Sequence, residues 1–299
     1  MTHDRVIAAL SGVSGILVTP FDGEDQIAPT RLQPIITRAA AAGVAALTVN
    51  GNTSEFYSLS FDEARRMQAA VPDLVAGRSV VTAGVGRSVG EACQLARVAA
   101  ADGCDAIMIH QPPDPFRAPR GIVAYVERVA EAAGGLPVVL YLRDDGIGPA
   151  AIAALCRVPG VIGVKWAVPN PIALATARRA NPQVTWICGL AEVWAPPLYA
   201  VGARGFTSGL INVAPDRSMA VLRALDQGDY PAAEAEIAAI EAFERLRAQE
   251  MAGANVSIVK AALALMGTDV GPARPPAAWP ISDAAATELA DLLARVCGR

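Results

Sequence analysis

Eight short apolar runs separated by helical patterns constrain this chain more than any other feature. They lie at 15–19, 45–49, 80–83, 106–110, 137–141, 161–166, 184–188 and 205–208. Each is almost continuously hydrophobic, as parallel strands covered on both faces are, whereas a half-exposed strand alternates. The intervening helices have legible ends. Ser60 with Glu63, and Ser88 with Glu91, form capping boxes ahead of helices at 64–70 and 92–101, and Gly43 and Gly103 stand where a left-handed residue ends a helix. Eight consecutive βα units predict a closed (β/α)₈ TIM barrel, an α/β fold that at 299 residues leaves room for an extension. An open doubly wound sheet is the competing architecture, and it lacks a G-x-G-x-x-G fingerprint after the first strand.

From about Met219 the pattern is helical only, so the chain divides into a catalytic barrel over 1–218 and a C-terminal helical region over 219–299. A Pro-rich connection at 270–280 precedes a last helix at 283–296, which Ser282 caps. The composition is 53% hydrophobic with a net charge of −4, and no basic stripe marks a nucleic-acid partner. No apolar stretch is long enough to span a bilayer, and the start carries no secretory signal, so a cytoplasmic protein without membrane or nucleic-acid partners is expected. Cys93, Cys104, Cys156, Cys188 and Cys297 read as reduced core thiols. The two histidines are His110 and His3, the latter on a terminus expected to be mobile. They offer little to a metal site or a Ser-His-Asp triad, so neither is expected.

In a barrel of this kind the chemistry sits at the C-terminal ends of the strands. Strand one closes on Thr19, strand two runs into Gly51-Asn52-Thr53-Ser54-Glu55, strand five ends at Tyr141 with Arg143 beyond, and strand six carries Lys165. Strand seven ends at Gly189, and strand eight at Thr207-Ser208 with Asn212 following. Lys165 is the sharpest signal, because the chain has two lysines against 23 arginines and keeps this one within an apolar run. A desolvated lysine has a lowered pKa and attacks carbonyl carbon, which an arginine, always protonated, does not do. The plainer reading is a lysine that snorkels from a strand end to solvent. Lys260 takes the surface reading. Tyr141, one strand before Lys165, is either a buried aromatic or a proton shuttle to the same carbon. The loop at 51–55 is either a polar tight turn or, through backbone N–H groups and the Thr53 hydroxyl, a cradle for a substrate carboxylate.

At these residues a family resemblance becomes specific. Gly15-Ile16-Leu17-Val18-Thr19-Pro20-Phe21, the loop at 51–55, Leu140-Tyr141 and Gly163-Val164-Lys165 resemble, in order and spacing, the dihydrodipicolinate synthase/N-acetylneuraminate lyase superfamily. The resemblance implies a class I aldolase-type barrel in which Lys165 forms a Schiff base with a 2-keto acid, Tyr141 shuttles protons and residues 51–53 hold the carboxylate. It implies no cofactor beyond the lysine imine, and a homotetramer or homodimer. Within the superfamily, Asn52, Pro113, Asp114 and Gly146 stand where the synthase pattern has a hydroxyl residue, a tyrosine pair and an arginine. The loop 51–59, the Tyr141-Leu142-Arg143-Asp144 run, Ala191-Glu192-Val193, and Thr207-Ser208 with Asn212 look more like 5-dehydro-4-deoxyglucarate dehydratase. That likeness makes Gly51, Asn52, Thr19, Arg143, Gly189, Thr207, Ser208 and Asn212 candidate substrate-binding residues beside catalytic Lys165, Tyr141 and Thr53. It also makes Arg143 a candidate for a distal carboxylate. An aldolase or synthase of the same superfamily, and a regulatory barrel without activity, are the rival readings.

Overall fold

In the computed structural model, which describes residues 3–297, eight parallel strands close on themselves in sequence order. They are β1 (Val13–Ile16), β2 (Ala46–Val49), β3 (Val80–Val85), β4 (Ala106–His110), β5 (Val138–Leu142), β6 (Val161–Trp166), β7 (Thr185–Cys188) and β8 (Phe206–Ser208). Closure comes from β1 and β8, with Ser14 opposite Thr207 and Gly15 opposite Ser208. The open sheet is thereby ruled out. The helices are α1 (His3–Leu10), α2 (Gln33–Ala41), α3 (Phe61–Val75), α4 (Val89–Ala99), α5 (Pro119–Ala132), α6 (Pro149–Leu155), α7 (Pro171–Ala180), α8 (Ala191–Ala200) and α9 (Pro215–Asp226). Three more follow: α10 (Tyr230–Arg247), α11 (Asn255–Leu265) and α12 (Asp283–Cys297). Among the described residues no helix is long and apolar enough to cross a membrane.

The capping boxes at Ser60/Glu63 and Ser88/Glu91 are both formed, and Gly43 and Gly103 have φ of +92° and +89°. Ser282 accepts the Ala285 amide at 3.2 Å and so caps α12. α9 completes the eighth βα unit and runs across residue 218, so the barrel extends to Asp226. β1 starts two residues and ends three residues earlier than the apolar pattern suggests. The Leu17 amide still donates to the Thr48 carbonyl at 3.0 Å, but from Val18 on the backbone leaves the ladder, its amide taken by Asn212 Oδ1, although Leu17 and Val18 remain buried.

The core has two layers. The outer one lies between strands and helices. The inner one fills the barrel with Ala46, Val80, Ala106, Met108, Val139, Tyr141, Ile162 and Ile187. Val6, Ala9 and Leu10 of α1 seal its lower end, so His3 belongs to a packed helix and not to a mobile tail. Cys93, Cys104, Cys156 and Cys188 are buried free thiols, whereas the Cys297 side chain lies outside the described residues.

The largest departure from the sequence reading is Lys260. Its side chain is 0% exposed, ion-paired to Glu55 Oε2 at 2.6 Å and bonded to the Pro272 carbonyl at 2.8 Å. The apolar neighbours of Lys260 on α11 made it look like any helix residue, and its partner is 205 positions away in sequence. Glu55 itself has φ of +57°, and its other oxygen accepts the Arg274 amide at 2.7 Å. The Pro-rich connection is therefore strapped to the loop at 51–55, fixing from behind the turn that faces the barrel mouth. Replacing Lys260 by Met strands a buried carboxylate and is expected to cost about 3 to 5 kcal/mol in urea denaturation, whereas adding Glu55→Gln recovers part of the loss. Equal stability of the single variant and the wild type would show that the pair contributes nothing.

Candidate active site

Lys165 and Tyr141 sit directly opposite one another on adjacent strands β6 and β5. Both side chains point inward, and the Lys165 Nζ lies 4.0 Å from the centroid of the Tyr141 ring. Each is almost fully buried, at 3% and 5% exposed. Burial in a poorly solvating interior, reinforced by the like charge of Arg143, brings the Lys165 ammonium down to about 7. The same burial, opposed by Arg143, pushes the Tyr141 phenol up to about 12. Above about pH 7 the pair is a free amine beside a phenol that keeps its proton, the starting states for nucleophilic attack and proton donation.

Gly189 gives Lys165 its space. A Cβ there would lie 2.9 Å from the lysine Cγ and from Ala167 Cβ, so an alanine would push the lysine stem out of position. Gly51 has the corresponding role in the loop, where a Cβ would come within 2.5 Å of Ile16 Cγ2. Ser54 Oγ accepts the Gly51 amide at 3.0 Å and donates to the Leu17 carbonyl at 2.6 Å, while Thr19 Oγ1 donates to the Ser54 carbonyl at 2.6 Å. These bonds tie the loop to the end of β1. Among the described residues the backbone amides of Asn52 and Thr53 donate to no protein acceptor, which leaves them open to a ligand.

Asn52 Nδ2 donates to the Tyr141 hydroxyl at 3.0 Å, and its Oδ1 is buried without a partner. His110 lies beneath the loop, bonded to the Asn50 carbonyl at 2.9 Å and stacked on Phe56 at 4.7 Å. Burial drives its pKa down to about 3, so it stays neutral. Its place is explained by packing.

A cavity of about 440 Å³ at the barrel mouth collects Asn52, Thr53, Tyr141, Arg143, Lys165, Gly189, Thr207 and Ser208. Gly51 stands behind Thr53 in the same loop. Two candidates are committed elsewhere. Thr19 spends its hydroxyl on the loop, and Asn212 is buried with Nδ2 bonded to the Ile16 and Gly209 carbonyls at 2.8 Å each. They position the site without lining it. Arg143 is exposed at the rim.

The sequence reading missed the contribution of the C-terminal helices. Glu244 and Arg247 of α10 and Asn255 of α11 line the same cavity, although they follow β8 by dozens of residues and belong to no strand end. It also treated Glu192 as part of a motif without a role. Glu192 is fully buried, accepts from Ser218 Oγ at 2.5 Å, and through Ser218 is linked to Ser208 Oγ at 3.0 Å. Burial, with Glu244 nearby, raises its carboxyl to about 7.

The sequence profile described as the Dihydrodipicolinate synthetase family matches residues 9–296. A probable 5-dehydro-4-deoxyglucarate dehydratase from Streptomyces griseus is 31% identical over 98% of this chain and 94% of its own. Its counterpart from Streptomyces avermitilis is 32% identical over 94% and 85%. Among solved structures, a dihydrodipicolinate synthase from Oceanobacillus iheyensis superposes with a TM-score of 0.94 at 35% identity, covering 100% of both chains.

Proposed function

This chain belongs to the dihydrodipicolinate synthetase family, and we propose that within it the protein is a Schiff-base lyase that dehydrates and decarboxylates a 2-keto-3-deoxy sugar diacid of the 5-dehydro-4-deoxyglucarate type. The observation that carries the choice of reaction is the Asn52–Tyr141 bond. An amide at this position holds the phenol but does not pass its proton on as a hydroxyl does, so Tyr141 exchanges protons with the substrate alone. The curated relatives named as dehydratases agree with this reading. The Oceanobacillus iheyensis structure, named as a synthase, favours the second reading, an aldol condensation on pyruvate.

In the proposed reaction the Lys165 amine attacks the keto carbon while the carboxylate beside it rests on the amides and hydroxyl of residues 52–53. Tyr141 passes the proton that lets the carbinolamine lose water. The Tyr141 phenolate so formed takes a proton from C3 as electrons flow into the protonated imine, and the resulting enamine expels the C4 hydroxyl, which leaves as water on taking a proton through Thr207 and Ser208. The carboxylate beside the imine carbon then leaves as carbon dioxide, a proton takes its place on that carbon, and hydrolysis of the imine frees Lys165. This chemistry asks for no metal or organic cofactor, because the imine is the electron sink.

Incubation with 5-dehydro-4-deoxyglucarate should release carbon dioxide, while pyruvate with aspartate semialdehyde should condense slowly. The opposite preference would return the chain to the synthase branch. Arg143→Ala should weaken kcat/KM for the diacid by about tenfold, a modest figure because an exposed guanidinium is screened by solvent. The same variant should move the acid limb of the pH profile upward, since Arg143 is the like charge that depresses Lys165. An unchanged limb would mean that burial alone sets that pKa.

A further inference from the structure

We propose that Arg247, on a helix outside the barrel, is the seat of the substrate's second carboxylate; this rests on the diacid reading above and names the residue that would select for it. Arg247 lines the cavity that contains Lys165, and only 8% of it is exposed. A buried guanidinium is costly unless its donors are used, and here they are used in part. Nε and Nη2 donate to Asn255 Oδ1 at 3.0 and 2.7 Å, and Nη1 donates to Glu244 Oε1 at 2.6 Å. Of the five N–H donors of an arginine, two are left for a ligand.

Gly209 is what lets the guanidinium lie close to the loop at 51–55. A Cβ on that glycine would stand 2.6 Å from Arg247 Nη2 and 3.4 Å from Thr53 Oγ1. The space over Gly209 is thus shared by the guanidinium and by the loop that faces the reacting end of the substrate. Any side chain at 209 would separate them. Leu190, Val193 and Trp194 also line the cavity, and apolar surface beside a charge-assisted pair strengthens it.

Arg143 is the other guanidinium at the cavity, and it differs in kind. It is exposed at the rim, whereas Arg247 is fixed by Glu244 and Asn255 before any ligand arrives. A pre-ordered donor pair loses less freedom on binding and so contributes more to selectivity. Glu244 neutralises part of the charge and repels a carboxylate placed on its own side. Nη2 already fills the space over Gly209, so the second carboxylate belongs on the cavity side of the guanidinium, away from Glu244.

The test separates this role from the overall reaction. 2-Oxoadipate is a six-carbon 2-keto diacid that can form the imine but has no hydroxyl to lose, and pyruvate is its one-carboxylate counterpart. Both are titrated against the full-length protein with borohydride, following the mass added to Lys165. Arg247→Met should raise the 2-oxoadipate concentration needed for half-trapping by about 10²-fold and leave that for pyruvate within about threefold. Arg247→Lys, which keeps the charge but loses the fork, should fall between the two. Undiminished 2-oxoadipate trapping in Arg247→Met would overturn the assignment. So would equal losses on both acids, which would place Arg247 against the carboxylate beside the keto carbon or in a purely structural role. If the wild type traps 2-oxoadipate as described but releases no carbon dioxide from 5-dehydro-4-deoxyglucarate, the reaction reading fails and the Arg247 assignment stands.

Discussion

Replacing Lys165 by methionine is expected to reduce turnover by about 10⁴-fold or more, because no other group at the mouth can form a covalent imine. Lys260, the second lysine, is fully buried in its pair with Glu55 and points at the Pro-rich connection. The loss should be accompanied by a gain in stability. In the folded protein the Lys165 pKa lies near 7, whereas the unfolded chain has the ordinary value of 10.5. Between these two values the unfolded chain binds the extra proton, so wild-type stability rises with pH through that window. Below about 7 both states are protonated and the full penalty of the buried charge remains. The methionine variant carries no such penalty and should be more stable at neutral pH by a few kcal/mol, on the order of what a shift of this size implies. The advantage should shrink as the pH approaches 10.5. In the active protein the same shift predicts that kcat/KM rises as the pH passes about 7 and then levels off, because only the free amine attacks. A profile that keeps rising to pH 10 would show a lysine with its ordinary pKa.

The Tyr141→Phe variant tests proton transfer. The ring remains, with its packing against His110 and beneath Lys165, and only the hydroxyl that accepts from Asn52 is lost. Turnover is expected to fall by about 10²- to 10⁴-fold with little change in stability. Imine formation with pyruvate should slow as well, since carbinolamine dehydration needs a proton donor, yet the trapped adduct should still form given time. A variant that turns over at close to the wild-type rate would assign the acid/base role to another group.

How much of this was legible beforehand depends on the range of the forces involved. Strand positions and helix caps are local: Ser60 and Ser88 meet their glutamates three residues on, so both capping boxes could be read directly. The mouth residues were legible because a barrel brings strand ends together whatever the intervening sequence, which placed Thr53, Tyr141, Lys165, Gly189 and Thr207 around one cavity. Thr19 and Asn212 sit at strand ends too, yet their polar atoms are consumed by carbonyls and amides of neighbouring segments, and no local signal distinguishes a hydroxyl that faces substrate from one that braces a loop. Lys260 and Arg247 were illegible for a related reason. Their significance comes from where the C-terminal helices dock: Glu55 on the β2 loop meets a lysine of α11, and Gly209 after β8 meets an arginine of α10. Helical periodicity predicts that such helices exist and bury one face, but not which charged side chain that docking drives into the mouth.

The central claim is that Lys165 forms a covalent imine with a 2-keto acid, and the most direct measurement is borohydride reduction in the presence of pyruvate followed by peptide mass analysis. A single reduced adduct on the peptide that contains Lys165, absent without keto acid and absent from Lys165→Met, is the result predicted here. An adduct on Lys260, or none with pyruvate or any 2-keto-3-deoxy acid, would contradict it.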